Sequence, residues 1–165
     1  MKITPNPRII LAGSVNSSLK TLKKLIQHNM NVVAALGLNP DAAKNVSGFQ
    51  DLRHVAEEAN IDFRYFKKLN DEEIVSYIRH KEPDLLFVIG LSQIVKKELL
   101  NIPTYGCIGY HPTLLPKGRG RGAFAWIIIG EASPASTFFI MNEEMDAGDI
   151  IVQQPFEVKE DEYVE

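Results

Sequence analysis

The fold is decided by the stretch RIILAGSVNSSLKTLKKLIQHN, residues 8–29. Its first part, residues 8–13, is a short β-branched apolar run ended by glycine, which is typical of a buried strand. In the second part, Leu19, Leu22 and Ile26 recur at helical spacing, so residues 14–29 predict a polar turn and then a helix. A strand that leads through a short turn into a helix is the unit from which α/β folds are built.

The same alternation continues along the chain. Further strands are predicted at 31–37, 62–66 and 84–91, and helices at 47–61 and 71–82. Residues 84–91, DLLFVIGL, are almost continuously apolar, as a parallel strand buried on both faces requires. The chain therefore predicts a mostly parallel sheet with right-handed crossovers, whose ligands lie beyond the carboxyl ends of the strands.

The pattern changes after residue 91. The sequence predicts a short helix at 92–103, a strand at 104–112 that ends in a turn, an apolar helix at 122–131 and a β-hairpin at 135–158 with its loop at Asn142–Gly148. Residues 157–165 resemble the start of a helix, so we expect the chain to be part of a longer protein. No linker or repeat interrupts residues 1–165, which predicts a single domain.

The composition of the chain argues against several classes of protein. The net charge is −3 and the basic residues are spread along the chain, which argues against a nucleic acid partner. The longest apolar runs are far shorter than the roughly 20 residues that span a bilayer, and the first residues contain no signal peptide, so no membrane association is expected. One cysteine excludes an internal disulfide or a cysteine-based zinc site. We expect a cytoplasmic protein without a bound metal.

One histidine differs from the other three. His28, His54 and His80 lie in or at the ends of predicted helices, where surface histidines are common. His111 follows a predicted strand, and Pro112 cannot donate a ladder hydrogen bond there. His111 is therefore the candidate functional histidine.

Neither the acids nor the glycines identify a site on their own. Asp146 lies in the sequence DAG, which by itself is an ordinary β-turn. The glycines of residues 118–122, GRGRG, match neither a dinucleotide-binding nor a P-loop spacing. Arg119 and Arg121 either pair with a substrate anion or are solvated loop charges, and spacing does not decide between these alternatives.

The complete segment HPTLLPKGRGRGAFAWIIIGEASPASTFFIMNEEMDAGDIIVQ, residues 111–153, resembles the signature of the folate-dependent formyltransferase family. Residues 9–26 and 92–100 also resemble the first strand, turn and helix and a later segment of that family. The positions that match the signature are His111, Pro112, Thr113 (in place of serine), Leu114, Leu115, Pro116, Arg119, Gly120, Trp126, Gly130, Glu131, Thr137, Asp146, Gly148 and Gln153. The resemblance implies a Rossmann-like formyltransferase fold.

The resemblance also implies an activity, namely formyl transfer from 10-formyltetrahydrofolate to an amine. His111 would be the catalytic histidine, and Asp146 would orient it and balance its charge. The pterin would bind between Leu91, Ser92, Gln93 and Ile94 and the loop residues Ile140, Met141, Asn142, Glu143, Glu144 and Met145. The amine substrate would contact Ser14, Arg119, Gly120 and Arg121.

Three further positions depart from the family pattern. Gly109 stands where the family has a catalytic asparagine. Ala123 stands where relatives with an amino-sugar or methionyl-tRNA substrate usually carry a proline, and Phe139 stands where a histidine or other polar residue is common. Three interpretations of Gly109 stay open: another donor replaces the amide, the chain belongs to a divergent branch with an unusual amine, or a pocket has lost its activity. Gln93, Tyr110 and a bound water are the candidates for the other donor.

The acceptor is predicted to be a small amine. The net charge argues against tRNA, and the turn after the first strand contains hydroxyl residues where a phosphate-binding turn would have glycines. We expect an amino sugar, carried on a nucleotide. The alternatives are a catalytic domain like that of methionyl-tRNA formyltransferase and a non-catalytic folate- or nucleotide-binding module of a larger enzyme. The residues leave the oligomeric state open.

Overall fold

The computed structural model describes residues 4–159. The contacts within the chain form two compact units, Met1–Cys107 and Ile108–Glu165. Each unit has its own set of strands and is described by itself. The single domain expected for residues 1–165 stays a prediction.

The first unit is an α/β layer. Its elements are β1 (Ile9–Gly13), α1 (Asn16–Gln27), β2 (Val32–Leu38), a 3₁₀ turn (Pro40–Ala42), α2 (Arg53–Glu58), β3 (Phe63–Phe66), α3 (Glu72–His80), β4 (Leu85–Ile89) and α4 (Lys97–Leu100). The four strands pair in the order β3-β2-β1-β4, and every pairing in this unit is parallel. The predicted alternation of strands and helices around a parallel sheet is confirmed.

The core of this unit lies under α1. Leu22 is fully buried in a cluster with Leu11 of β1, Ala35 of β2 and two residues near α2. Leu19, Leu25 and Ile26 pack against the same cluster. The helical spacing of these leucines therefore marks the face that is removed from water, as an amphipathic helix requires.

Two helices are shorter than predicted. The helix expected at 47–61 is confined to Arg53–Glu58, because the Gln50 amide donates to the Ser14 carbonyl and the Asp51 carboxylate accepts from the Arg53 amide. The helix expected at 92–103 is confined to Lys97–Leu100, because Asn70 holds the preceding loop. Its side chain donates to the Ile94 carbonyl and accepts from the Lys96 amide. Side chains and carbonyls distant in sequence thus replace helical hydrogen bonds in both segments.

The second unit contains the antiparallel part of the fold. Its elements are β5 (Cys107–Thr113), which begins at the unit boundary, α5 (Ala123–Ile128), β6 (Pro134–Ile140) and β7 (Ile150–Pro155). β6 pairs with β5 and β7, both antiparallel. The predicted C-terminal hairpin is confirmed, and with the parallel sheet of the first unit it confirms the α/β fold class.

β5 begins three residues later and ends one residue later than predicted. It continues through Pro112 to Thr113, and its register against β6 shifts between His111 and Thr113. Proline has no amide hydrogen, so a strand tolerates it at such an irregularity. His111 therefore lies inside the strand, where the sequence had indicated its end.

The helix expected at 157–165 lies mostly outside the described residues, and residues 157–159 are not helical. Within residues 4–159, no helix is long and apolar enough to cross a membrane.

Candidate active site

His111 is held on the buried face of β5. Successive side chains of a strand alternate between its two faces, so Gly109, His111 and Thr113 share one face while Tyr110 points to the other. His111 pairs directly with Thr137 of β6 and is only 7% exposed. The other three histidines are exposed in or beside helices, so the structure singles out His111 as the sequence did.

Both ring nitrogens of His111 face acceptors. Nε2 lies 2.7 Å from the Gly118 carbonyl oxygen, which only accepts, so Nε2 carries a proton and donates it. Nδ1 lies 3.6 Å from Oδ2 of Asp146, too long for a direct hydrogen bond but close enough for an ion pair. The two acceptors therefore hold the ring in one orientation, with Nε2 directed at Gly118 and Nδ1 beside the Asp146 carboxylate.

Asp146 connects two loops of the second unit. It lies between β6 and β7 in a left-handed conformation, φ 51°, and its Oδ2 accepts a 2.9 Å hydrogen bond from the Gly120 amide. The same oxygen faces His111. The carboxylate thus holds the glycine-rich loop against the hairpin and also lies beside the imidazole ring. The structure brings His111 and Asp146 together, and their catalytic role is a proposal.

A buried network of hydroxyl groups supports the strand that carries His111. The Thr137 hydroxyl donates to the Thr113 carbonyl at 2.7 Å, and the Thr113 hydroxyl lies within 3.1 Å of the Lys117 and Gly118 carbonyls. The Gln153 amide donates to Thr137 Oγ1 and to the Leu115 carbonyl. Sequence analysis assigned these residues no role, although Thr113, Thr137 and Gln153 lie at matched signature positions. The signal in the sequence that could have indicated this network was the presence of threonine hydroxyls in or next to predicted strands.

Gly109 lies under an aromatic ring. It pairs directly with Phe139 of β6, and a Cβ atom at this position would lie 2.7 Å from Cζ of Phe139 and 3.0 Å from Cγ of Met141. Real Cβ atoms essentially never come within 3.0 Å of another heavy atom. Phe139 therefore occupies the space into which a side chain at position 109 would extend.

The two side chains predicted to replace the missing amide donor are engaged elsewhere. In the first unit, the amide nitrogen of Gln93 donates to the Lys67 carbonyl and its amide oxygen accepts from the Leu69 amide. In the second unit, the Tyr110 hydroxyl bonds with Ser136, and burial raises the pKa of Tyr110. Tyr110 is also on the opposite face of β5 from His111. Neither group directs a donor at the imidazole in this arrangement.

The arginines predicted to bind substrate lie in the exposed loop before α5. Arg119 donates to the Glu144 carboxylate at 3.0 Å, a pair exposed to solvent on both sides. The Gly120 amide is bonded to Asp146, and Arg121 is engaged in an interaction of its own. Substrate contacts by Arg119, Gly120 and Arg121 stay predictions.

Ser14 has a structural partner. It is 2% exposed, and its hydroxyl donates to the Gly90 carbonyl at 2.8 Å. Its amide donates to the Ser18 hydroxyl, which in turn donates to the Ile89 carbonyl at 2.5 Å. The hydroxyl-rich turn therefore fastens β1 to the end of β4, and a contact of Ser14 with substrate stays a prediction.

The two segments predicted to bind the pterin are loops, one in each unit. In the first unit, Ile94 is 69% exposed and Ser92 has a polar partner. In the second unit, Met145 is 52% exposed. The side-chain oxygen Oδ1 of Asn142 accepts a hydrogen bond from the backbone amide of Glu144. Each loop thus presents an apolar side chain to solvent. The residues described here contain no group of three or more acids, histidines or cysteines that could hold a metal ion.

Known proteins resemble this chain along nearly its whole length. Residues 8–165 match the family model described as formyl transferase. The methionyl-tRNA formyltransferase of Clostridium acetobutylicum is 35% identical over 159 residues, which cover 93% of this chain and 51% of that protein. The corresponding protein of Geotalea uraniireducens is 36% identical over 160 residues, covering 94% of this chain and 50% of its own length. The chain therefore spans about half the length of the curated relatives it matches.

Solved structures share the fold at lower identity. A phosphoribosylglycinamide formyltransferase from Bacillus halodurans superimposes with a TM-score of 0.76 at 18% identity, covering 94% of this chain and 82% of the other. A sugar N-formyltransferase from Shewanella has a TM-score of 0.67 at 20% identity, covering 93% of this chain and 58% of the other. These likenesses confirm the Rossmann-like fold that the sequence predicted. Since the family model covers nearly every residue, the chain belongs to the formyl transferase family.

Proposed function

We propose that this chain transfers a formyl group from 10-formyltetrahydrofolate to a primary amine of a small substrate, an amino sugar on a nucleotide. The observation that carries the proposal is the buried pair of His111 and Asp146, 3.6 Å apart, in a member of the formyl transferase family. A neighbouring structure, a sugar 3N-formyl transferase with TM-score 0.62, was solved with 5-N-formyl-THF. Met145, in the predicted folate loop of the second unit, is exposed, and an apolar side chain suits contact with a flat heterocycle.

His111 donates a hydrogen bond to the atom on which negative charge develops. When bound, 10-formyltetrahydrofolate presents the formyl carbon that the amine attacks. Nε2 of His111 already donates to a carbonyl oxygen, that of Gly118, at 2.7 Å. A formyl oxygen that takes the place of the Gly118 oxygen would accept the same hydrogen bond and keep it as the oxygen becomes negative. This step requires the exposed Gly118 to move away from the ring.

Asp146 orients the histidine. Its carboxylate faces Nδ1 at 3.6 Å and is fixed by the Gly120 amide, so the ring cannot turn without losing the ion pair. Asp146 would also accept the proton that the amine loses when its nitrogen bonds to the formyl carbon, and this proton would pass to the folate nitrogen as the bond between that nitrogen and the formyl carbon breaks.

The test is an assay with two acceptors. The protein is incubated with 10-formyltetrahydrofolate and either a panel of amino-sugar nucleotides or methionyl-tRNA, and the formylated product is measured by mass spectrometry. We expect product from the sugar panel and a loss of roughly 10²-fold or more in kcat for His111→Ala. The exposed His80→Ala variant is the matched control and should keep the full rate.

Other results would point elsewhere. Product from methionyl-tRNA alone would replace the proposed acceptor by the second candidate, which the 35% identity to a methionyl-tRNA formyltransferase favours. Binding of 5-formyltetrahydrofolate without turnover of either acceptor would indicate a non-catalytic folate module. Calorimetry that shows no binding of 5-formyltetrahydrofolate at millimolar concentration would rule out formyl transfer from folate.

A further inference from the structure

Phe139 and Gly109 share one space on the buried face of the second unit. Phe139 is 2% exposed and pairs directly with Gly109 across β5 and β6. Its ring atoms Cζ and Cε1 lie 2.7 and 2.9 Å from the position that a Cβ atom at residue 109 would take. The ring therefore excludes every residue except glycine at position 109 for as long as it stays in place.

Phe139 is also a diagonal neighbour of the candidate catalytic histidine in the strand pair. His111 lies two residues from Gly109 on the same face of β5, and its direct partner Thr137 lies two residues from Phe139 on β6. Diagonal neighbours of this kind are within reach of an aromatic side chain. Phe139 is therefore a diagonal neighbour of His111 in the strand pair, next to a position 109 that contributes no polar side chain.

We propose that Phe139 is a positioning residue for formyl transfer: its ring closes the space over Gly109 and leaves no room at position 109 for a second side-chain donor beside His111. This inference rests on the proposed function. The absence of an amide side chain at position 109 is therefore linked to the residue at position 139. The glycine and the phenylalanine form a coupled pair, and a donor at position 109 can be accommodated only when the ring at 139 moves or is removed.

A double-mutant cycle tests the coupling. The variants are Gly109→Asn, Phe139→Ala and the double variant, and each is measured for its melting temperature and for kcat and KM. Gly109→Asn alone should lower the melting temperature and turnover, because the new side chain meets the ring. The double variant should melt above Gly109→Asn and show a kcat at least roughly tenfold above Phe139→Ala, with KM unchanged, because an amide donor beside the oxyanion acts in the transition state.

Phe138→Ala is the matched control. Phe138 is the adjacent phenylalanine and contacts Tyr110 on the other face of the strand pair, with ring centroids 5.2 Å apart. Combining Phe138→Ala with Gly109→Asn should restore neither the melting temperature nor kcat, because the removed ring is on the wrong face.

Three outcomes would overturn the proposal. Additive effects on the melting temperature would show that Phe139 and position 109 do not share a space. A Gly109→Asn variant as stable as the wild type would show the same. Equal kcat values for the double variant and Phe139→Ala would show that the ring has a packing role only. Absence of product with the wild-type protein would refute the proposed function instead, while the thermal cycle would still decide whether the two positions are coupled.

Discussion

Gly148 links the hairpin to the candidate active site, and replacing it with alanine should damage both. A Cβ atom at position 148 would overlap the carbonyl oxygen of Ile140 and lie 2.8 Å from its carbonyl carbon. Ordinary van der Waals contacts of this kind are 3.4–4 Å. The obstacle is backbone, so no side-chain rotation relieves it, and the two sides of the loop must separate by more than about an ångström.

The magnitude follows from the hydrogen bonds that this separation would break. The Ile140 amide donates to the Asp149 carbonyl at 2.9 Å, and a neutral bond of this type contributes about 1 kcal/mol. The same loop carries Asp146, whose carboxylate accepts from the Gly120 amide, and a bond to a charged group contributes about 1.5–3 kcal/mol. We therefore expect Gly148→Ala to lower the free energy of unfolding by about 3 kcal/mol. It should also lower kcat, because Asp146 moves away from His111.

The assay is urea unfolding followed by fluorescence, with formyl transfer measured in parallel. Gly130→Ala is the matched control, since Gly130 has φ 81° with no atom within 4 Å of its added Cβ. It should lose only about 1–2 kcal/mol, the cost of a left-handed conformation, and should keep its turnover. A loss of stability at Gly148 no larger than at Gly130, or an unchanged kcat in Gly148→Ala, would refute this reasoning.

Two further predictions concern the first unit. The Lys81 ammonium, 2.5 Å from the carboxylate, holds the pKa of Asp62 below its ordinary value. Asp62 therefore stabilises the fold above its unfolded pKa of about 4, and this contribution is lost as the pH falls through the lower folded value. The difference in melting temperature between wild type and Asp62→Asn should be constant near neutral pH and vanish in acid; a difference that persists at pH 2 would contradict it. Burial raises the pKa of Cys107 to about 12, so a thiol reagent at pH 8 should modify Cys107 only after unfolding, and rapid labelling of the folded protein would contradict its burial.

Local patterns were sufficient for the elements of the fold. The spacing of Leu19, Leu22 and Ile26 predicted both α1 and the face that it buries. The apolar run at 84–91 predicted β4, and the turn chemistry around Asn142–Gly148 predicted the hairpin. These signals are short in range, because a helix or strand repeats its exposure every few residues along the chain. The helices at 47–61 and 92–103 were overestimated because Ser14 and Asn70, which supply the competing hydrogen bonds, are distant in sequence.

Sequence analysis indicated which residues belong to the candidate site, but not which residues contact one another there. The order of His111 and Asp146 within the matched signature indicated the family and these two residues. The pairing of Gly109 with Phe139 could not be read from the chain, because it depends on the register of two strands that are separated by a loop, a helix and a further loop.

The sequence by itself therefore determined the fold class, the family and the two members of the His111–Asp146 pair, since those depend on local periodicity and on the spacing of residue types. Only the tertiary structure decided which groups each atom meets: the Gly118 carbonyl at Nε2 of His111, the Gly120 amide at Asp146, and the Phe139 ring over Gly109. Such contacts depend on register and close packing, in which a difference of one residue or of one ångström exchanges one neighbour for another.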